Sequence, residues 1–86
     1  MKINVFRLKK FDGKSATKAF VDLIVEDKIV LKGFKLVEGQ HGLFLSMPRE
    51  KGSNDKYFDT IRFQDQNLRD EVEKLCIADF ELKGDK

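Results

Sequence analysis

Hydrophobic and polar positions alternate along most of the chain and then change to a longer period. In Ile3 to Lys9, Ile3 and Val5 fall on one side of a two-residue repeat and Phe6 and Leu8 on the other, which predicts a strand. Asp12-Gly13-Lys14-Ser15 supplies turn chemistry. From Ala16 to Glu26, Ala19, Val21, Leu23 and Val25 then alternate with Phe20, Asp22, Ile24 and Glu26, the clearest strand pattern in the sequence. Asp27-Lys28 forms a short reversal into a β-branched run, Ile29 to Val37, so a hairpin is the economical connection. Gly39 and Gly42 bracket the next turn, and Leu43 to Met47 makes a fourth strand that stops at Pro48, which has no ladder donor. The polar stretch Arg49 to Asp55 reads as a mobile loop, and Tyr57 to Phe63 resumes the alternation as a fifth strand.

From Asn67 the period becomes helical. Leu68, Val72, Leu75, Cys76, Asp79 and Phe80 share one stripe, while Arg69, Glu71, Glu73 and Lys74 face elsewhere. Asp65 or Asn67 is placed to cap a helix of about 14 residues, with Asp70 and Glu71 near its positive end. The predicted architecture is α+β: a five-stranded, mainly antiparallel sheet followed by a C-terminal helix. Several strands carry large apolar side chains on both faces, such as Leu23 and Val25 against Phe20 and Ile24. One helix covers one face, and a soluble chain rarely leaves the other apolar face in water, so a homodimer is expected to bury that face or to share a sheet edge.

With 86 residues the chain is read as one domain over residues 1–82, with a disordered charged tail at 83–86. No apolar run approaches the roughly 20 residues of a membrane span, and a cytoplasmic location is expected, with no membrane partner. One cysteine, Cys76, excludes an internal disulfide, and with one histidine, His41, a zinc cage would need a carboxylate remainder. No metal, cofactor or small-molecule substrate is expected. Net charge is +2 overall but runs +5 over residues 1–18, zero over 19–64 and −3 over 65–86, an asymmetry suited to a polyanion-binding face.

The run Val37-Glu38-Gly39-Gln40-His41-Gly42-Leu43-Phe44-Leu45-Ser46-Met47-Pro48 resembles the core of the SpoVG family, the stage V sporulation protein G or septation-regulator proteins of bacteria. Their hallmark is a glycine turn leading into Gly-Leu-Phe, two further residues and Met-Pro. Val5-Phe6-Arg7-Leu8-Lys9-Lys10 resembles the family's opening strand, and Phe34 to Gly39 its strand before the turn. Tyr57-Phe58-Asp59 falls where the family has an aromatic, a basic residue and aspartate, and Arg69 and Val72 match its helix-opening arginine and isoleucine. The likeness implies a small β-rich dimer, not an enzyme, that binds DNA or RNA and regulates septation and, in spore-formers, sporulation. In the family those contacts are associated with a basic loop after Met-Pro that carries a Lys-Arg pair. Here that pair falls on Glu50 and Lys51, with Arg49 one residue earlier, and the family's His-Pro after the fifth strand is replaced by Arg62-Phe63.

Phosphate binding requires clustered cations. Lys9, Lys10, Arg49, Lys51, Lys56 and Arg62 are the candidate nucleic-acid contacts, with Lys14 and Lys18 nearby in sequence; Arg49 leads because a guanidinium pairs bidentately with phosphate or guanine. Phe11, Tyr57 and Phe58 lie near basic residues and are candidates for base stacking. His41 lacks a carboxylate or serine partner at a recognisable spacing, and Cys76 sits on the apolar stripe, so neither reads as catalytic. The spacing of Asp55, Asp59 and Asp65 matches no calcium loop. The competing reading is a protein-interaction module of a division or regulatory pathway that binds no nucleic acid.

Overall fold

The computed structural model describes residues 1–83; the rest of the expected tail, 84–86, lies outside the described residues. Strands β1 (Ile3–Lys10), β2 (Thr17–Val25), β3 (Ile29–Gly39) and β4 (Gly42–Ser46) form an antiparallel sheet in that order. Strands β5 (Arg49–Lys51) and β6 (Tyr57–Asp59) form a separate two-stranded hairpin, and helix α1 runs from Gln66 to Lys83. The fold is α+β, as the pattern predicts, but the expected fifth strand does not join the main sheet. It ends at Asp59 and pairs with Arg49–Lys51, which the sequence reading assigned to a loop. Ile61 and Phe63, the apolar residues at its far end, turn under the sheet instead and pack against the core.

Cross-strand register explains the burial. On the inner face Leu8, Val21 and Phe34 stand in one row, and Ala19, Leu36 and Leu45 in the next. Phe34, Leu23, Leu36, Leu45, Val21, Val72 and Cys76 are each less than 2% exposed. Fully burying side chains of this size stabilises by about 1.5–3 kcal/mol each. A bulge at Phe6 changes the two-residue count in β1, because Val5 pairs with Leu23 and Arg7 with Asp22. Ile3, Val5 and Leu8 therefore all point inward, and Phe6 is exposed, where strict alternation puts Leu8 opposite Ile3.

One turn and one strand bulge rest on residues with positive φ. Glu26 and Asp27, at φ 53° and 56°, make the reversal between β2 and β3, closed by the Lys28 N–H donating to the Val25 carbonyl at 2.8 Å. Lys2 ties this turn down: its N–H donates to Glu26 Oε2 at 2.8 Å, and its ammonium pairs with Asp27 at 3.0 Å. Gly33, at φ 100°, sits at a bulge in β3, and a β-carbon there would meet Pro48 Cβ at 3.3 Å. That close approach lets the chain leaving β4 turn into the hairpin.

Helix α1 starts one residue earlier and runs longer than the sequence suggests. Asp65 caps it, accepting from the N–H groups of Asn67 at 2.9 Å and Leu68 at 3.3 Å. Asp70 and Glu71 consequently lie beyond the first turn. Val72 and Cys76 are buried and Leu68, Ile77 and Phe80 pack beside them, while Leu75, expected on the apolar stripe, is 43% exposed. Arg69 and Glu73 reach the outer edge of β4: the Leu45 N–H donates to Glu73 Oε2 at 2.8 Å, and Arg69 Nη2 donates to the Leu45 carbonyl at 3.3 Å. The two side chains, 3.5 Å apart, occupy backbone groups that an added strand would use.

Candidate nucleic-acid interface

The hairpin places its charges on one side. Arg49 pairs with Asp59 and Lys51 with Tyr57, so these four side chains share a face, while Glu50 and Phe58 point the opposite way. Cationic residues two apart lie on the same side of a strand, and adjacent ones do not. The two-residue spacing of Arg49 and Lys51 thus brings two cations onto one face and turns Glu50 away from them. The turn is closed by the Gly52 N–H donating to the Lys56 carbonyl at 2.8 Å and the Asp55 N–H to the Gly52 carbonyl at 3.1 Å. The hairpin is anchored where the Thr60 N–H donates to the Pro48 carbonyl at 2.9 Å.

Arg49 and Lys51 carry acidic partners, with Arg49 Nε 3.2 Å from Asp59 and Lys51 Nζ 3.5 Å from Asp55. All four side chains are well exposed, and such pairs contribute only about 0–1 kcal/mol, so a phosphate can compete for either cation. A hollow of about 410 Å³ is lined by Gly33, Lys35, Ser46, Met47, Arg49 and Tyr57. A second lies against Arg49, Tyr57, Phe58, Asp59, Thr60 and Arg62. Arg62 Nε donates to Gln64 Oε1 at 3.1 Å, which steadies its guanidinium at the rim.

The structure gathers Arg49, Lys51 and Arg62 around the hairpin and puts Lys56 at its turn. It separates Lys9 from Lys10. Lys9 is exposed on the outer face of the sheet, in one row with Phe20, Lys35 and Ser46. Lys10 points to the helix side, its ammonium 4.3 Å from the Phe80 ring centre, where it packs rather than presents charge outward. Lys18 pairs with Glu38 at 3.9 Å. Sequence reasoning missed Lys35, which lines the central hollow; its place between buried Phe34 and Leu36 marks it as an outward position once the strand is recognised.

Of the stacking candidates, Tyr57 is 62% exposed beside Arg49, and Phe11 meets Phe20 edge-on with ring centres 5.8 Å apart. Phe58 is exposed on the opposite hairpin face. Asp55 and Asp59 serve as ion-pair partners and Asp65 as helix cap, and no group of three or more metal-ligating side chains is found among the described residues. Burial, reinforced by Asp79 and Glu73, pushes the Cys76 thiol up from 9.0 to about 12, so it stays protonated near neutral pH. No described helix is long and apolar enough to cross a membrane.

A family model described as SpoVG matches residues 1–82. A relative from Fusobacterium nucleatum, named "Putative septation protein SpoVG", is 32% identical over 77 residues, covering 87% of this chain and 83% of the relative. Proteins of the same name from Lachnospira eligens and Finegoldia magna are 30% and 31% identical, covering 94% and 100% of this chain and 92% and 80% of theirs.

Proposed function

Because this chain belongs to the SpoVG family, we propose that it acts in septation as a cytoplasmic regulatory protein that binds DNA or RNA, with charge as the main source of affinity. The observation that carries the reading is the shared face of Arg49 and Lys51, continued by Lys35 and Arg62 around the adjoining hollows. Cations on one surface neutralise neighbouring phosphates and release condensed counterions, whereas scattered cations are only solvated. Contacts of this kind position a nucleic acid without specifying its sequence.

A homodimer is part of the proposal. Leu75, Ala78 and Leu82 are exposed along one side of α1, flanked by Glu71 and Lys74, and pairing two such stripes leaves the hairpins open to a ligand. Leu75→Lys should then leave a 10 kDa particle in light scattering where the parent chain gives twice that mass.

Titration of a short duplex and a short RNA against salt tests the binding. With Lys35, Arg49, Lys51 and Arg62 engaged, the logarithm of affinity should fall with the logarithm of salt with a slope of about −3. Arg49→Ala combined with Lys51→Ala should flatten that slope by roughly half. No binding of either nucleic acid at low salt would reject the reading in favour of a protein-interaction module.

A further inference from the structure

We infer that the outer face of the sheet is a platform for single-stranded nucleic acid, on which bases stack on Phe20 and Tyr57 while Lys9, Lys35 and Arg49 hold the phosphates. The inference rests on the hairpin reading above and names the form of ligand that surface takes. Phe20 is 43% exposed in the middle of the sheet, where a core-forming ring has no reason to stand. Phe11 packs edge-on against it with ring planes at 74°, which braces the half-exposed ring. On either side of Phe20, in direct cross-strand register, stand Lys9 and Lys35.

Lys35 then lines the same hollow as Ser46, Arg49 and Tyr57. Strands lie about 4.8 Å apart, so the track from Phe20 to the Tyr57 hollow spans roughly 10–15 Å, long enough for a few nucleotides of an extended strand. An aromatic ring flanked by cations on both sides, followed by a second such ring, presents alternating base and phosphate contacts to a flexible strand. A duplex keeps its bases stacked on each other and has no π-face to offer. Charge complementarity selects this occupant: the row carries Lys9 and Lys35 on either side of Phe20 and leads to Arg49, cations that match the phosphates of a strand laid along it. DNA and RNA share the base and phosphate chemistry involved.

Tyr57 is the chain's one tyrosine and tryptophan is absent, so tyrosine emission reports on this position alone. Twelve-residue oligo(dT), oligo(U) and a mixed-sequence duplex of equal length should be titrated at low salt, following both anisotropy of a dye on the nucleic acid and Tyr57 emission. Either single strand should quench the emission and bind more tightly than the duplex, and the tighter of the two identifies the source. Phe20→Leu keeps the apolar bulk without the ring; it should weaken single strands about tenfold and leave duplex binding within about twofold. Single-strand binding that is insensitive to Phe20→Leu and Tyr57→Leu, yet lost in Arg49→Ala with Lys51→Ala, would overturn the platform while keeping the hairpin reading. Absence of binding by any probe would remove both. A change of particle mass in Phe20→Leu would assign the face to contact between copies and overturn the inference.

Discussion

The four-stranded sheet with its helix and the two-stranded hairpin are built on opposite principles. The sheet contributes most of the fully buried side chains, and the helix adds Val72 and Cys76 from above. The hairpin buries nothing of its own: every residue of β5 and β6 is exposed. A lone two-stranded hairpin is marginal in water, so this one depends on its roots, where Pro48 packs at the Gly33 bulge and Thr60 bonds to Pro48. The difference separates stability from recognition. Side chains on β5 and β6 can vary without disturbing the fold, because the core does not constrain them.

The sharpest way to break this comparison is to empty the core. Phe34→Ala should destabilise the chain by about 3–5 kcal/mol in urea unfolding, while Tyr57→Ala should change stability by less than about 0.5 kcal/mol. Equal losses would mean that the hairpin shares the core after all. A smaller effect is expected at the helix-to-edge contact. Glu73→Ala leaves the Leu45 N–H without its acceptor and should cost about 1–3 kcal/mol, most of it restored in Glu73→Gln, which keeps an oxygen there.

The buried thiol gives a pH signature of the sheet-and-helix unit alone. Below pH 9 folded and unfolded chains both hold the Cys76 proton and no dependence arises. Between 9 and about 12 the unfolded chain releases it first, so stability falls as pH rises. The slope is at most about 1.4 kcal/mol per pH unit. Comparing unfolding of the parent chain with Cys76→Ala at about pH 8 and about pH 10.5 isolates this contribution from the lysines. The smallest change sharpens the contrast. Asp59→Asn removes the partner of Arg49 and should alter stability by under about 0.5 kcal/mol yet tighten nucleic-acid binding roughly two- to threefold.

Much of the sheet is legible in the sequence because burial writes a two-residue repeat: Ala19, Val21 and Leu23 are all inside, as their alternation predicts. The bulges are not legible. One extra residue at Phe6 rotates the rest of β1, and nothing local distinguishes Phe6 from an ordinary strand residue. Tyr57 to Phe63 misleads for a different reason, since Ile61 and Phe63 are apolar for the core beneath the hairpin and not for a fifth place in the sheet. At the candidate site, Arg49 and Lys51 are visible as charges after Met47-Pro48, but their shared face follows only from the hairpin pairing. Lys10 shows the converse: adjacent to Lys9 in sequence, it is carried to the other side by the pleat and laid on Phe80.

The bridge from Arg69 and Glu73 to Leu45 bears on how this protein is made. Translation delivers all six strands before the helix, and until α1 docks, β4 is an uncapped adhesive border beside an unroofed apolar floor. A free chain ending at Asp65, without α1, should therefore clump or draw chaperones in a pelleting assay where the full chain does not.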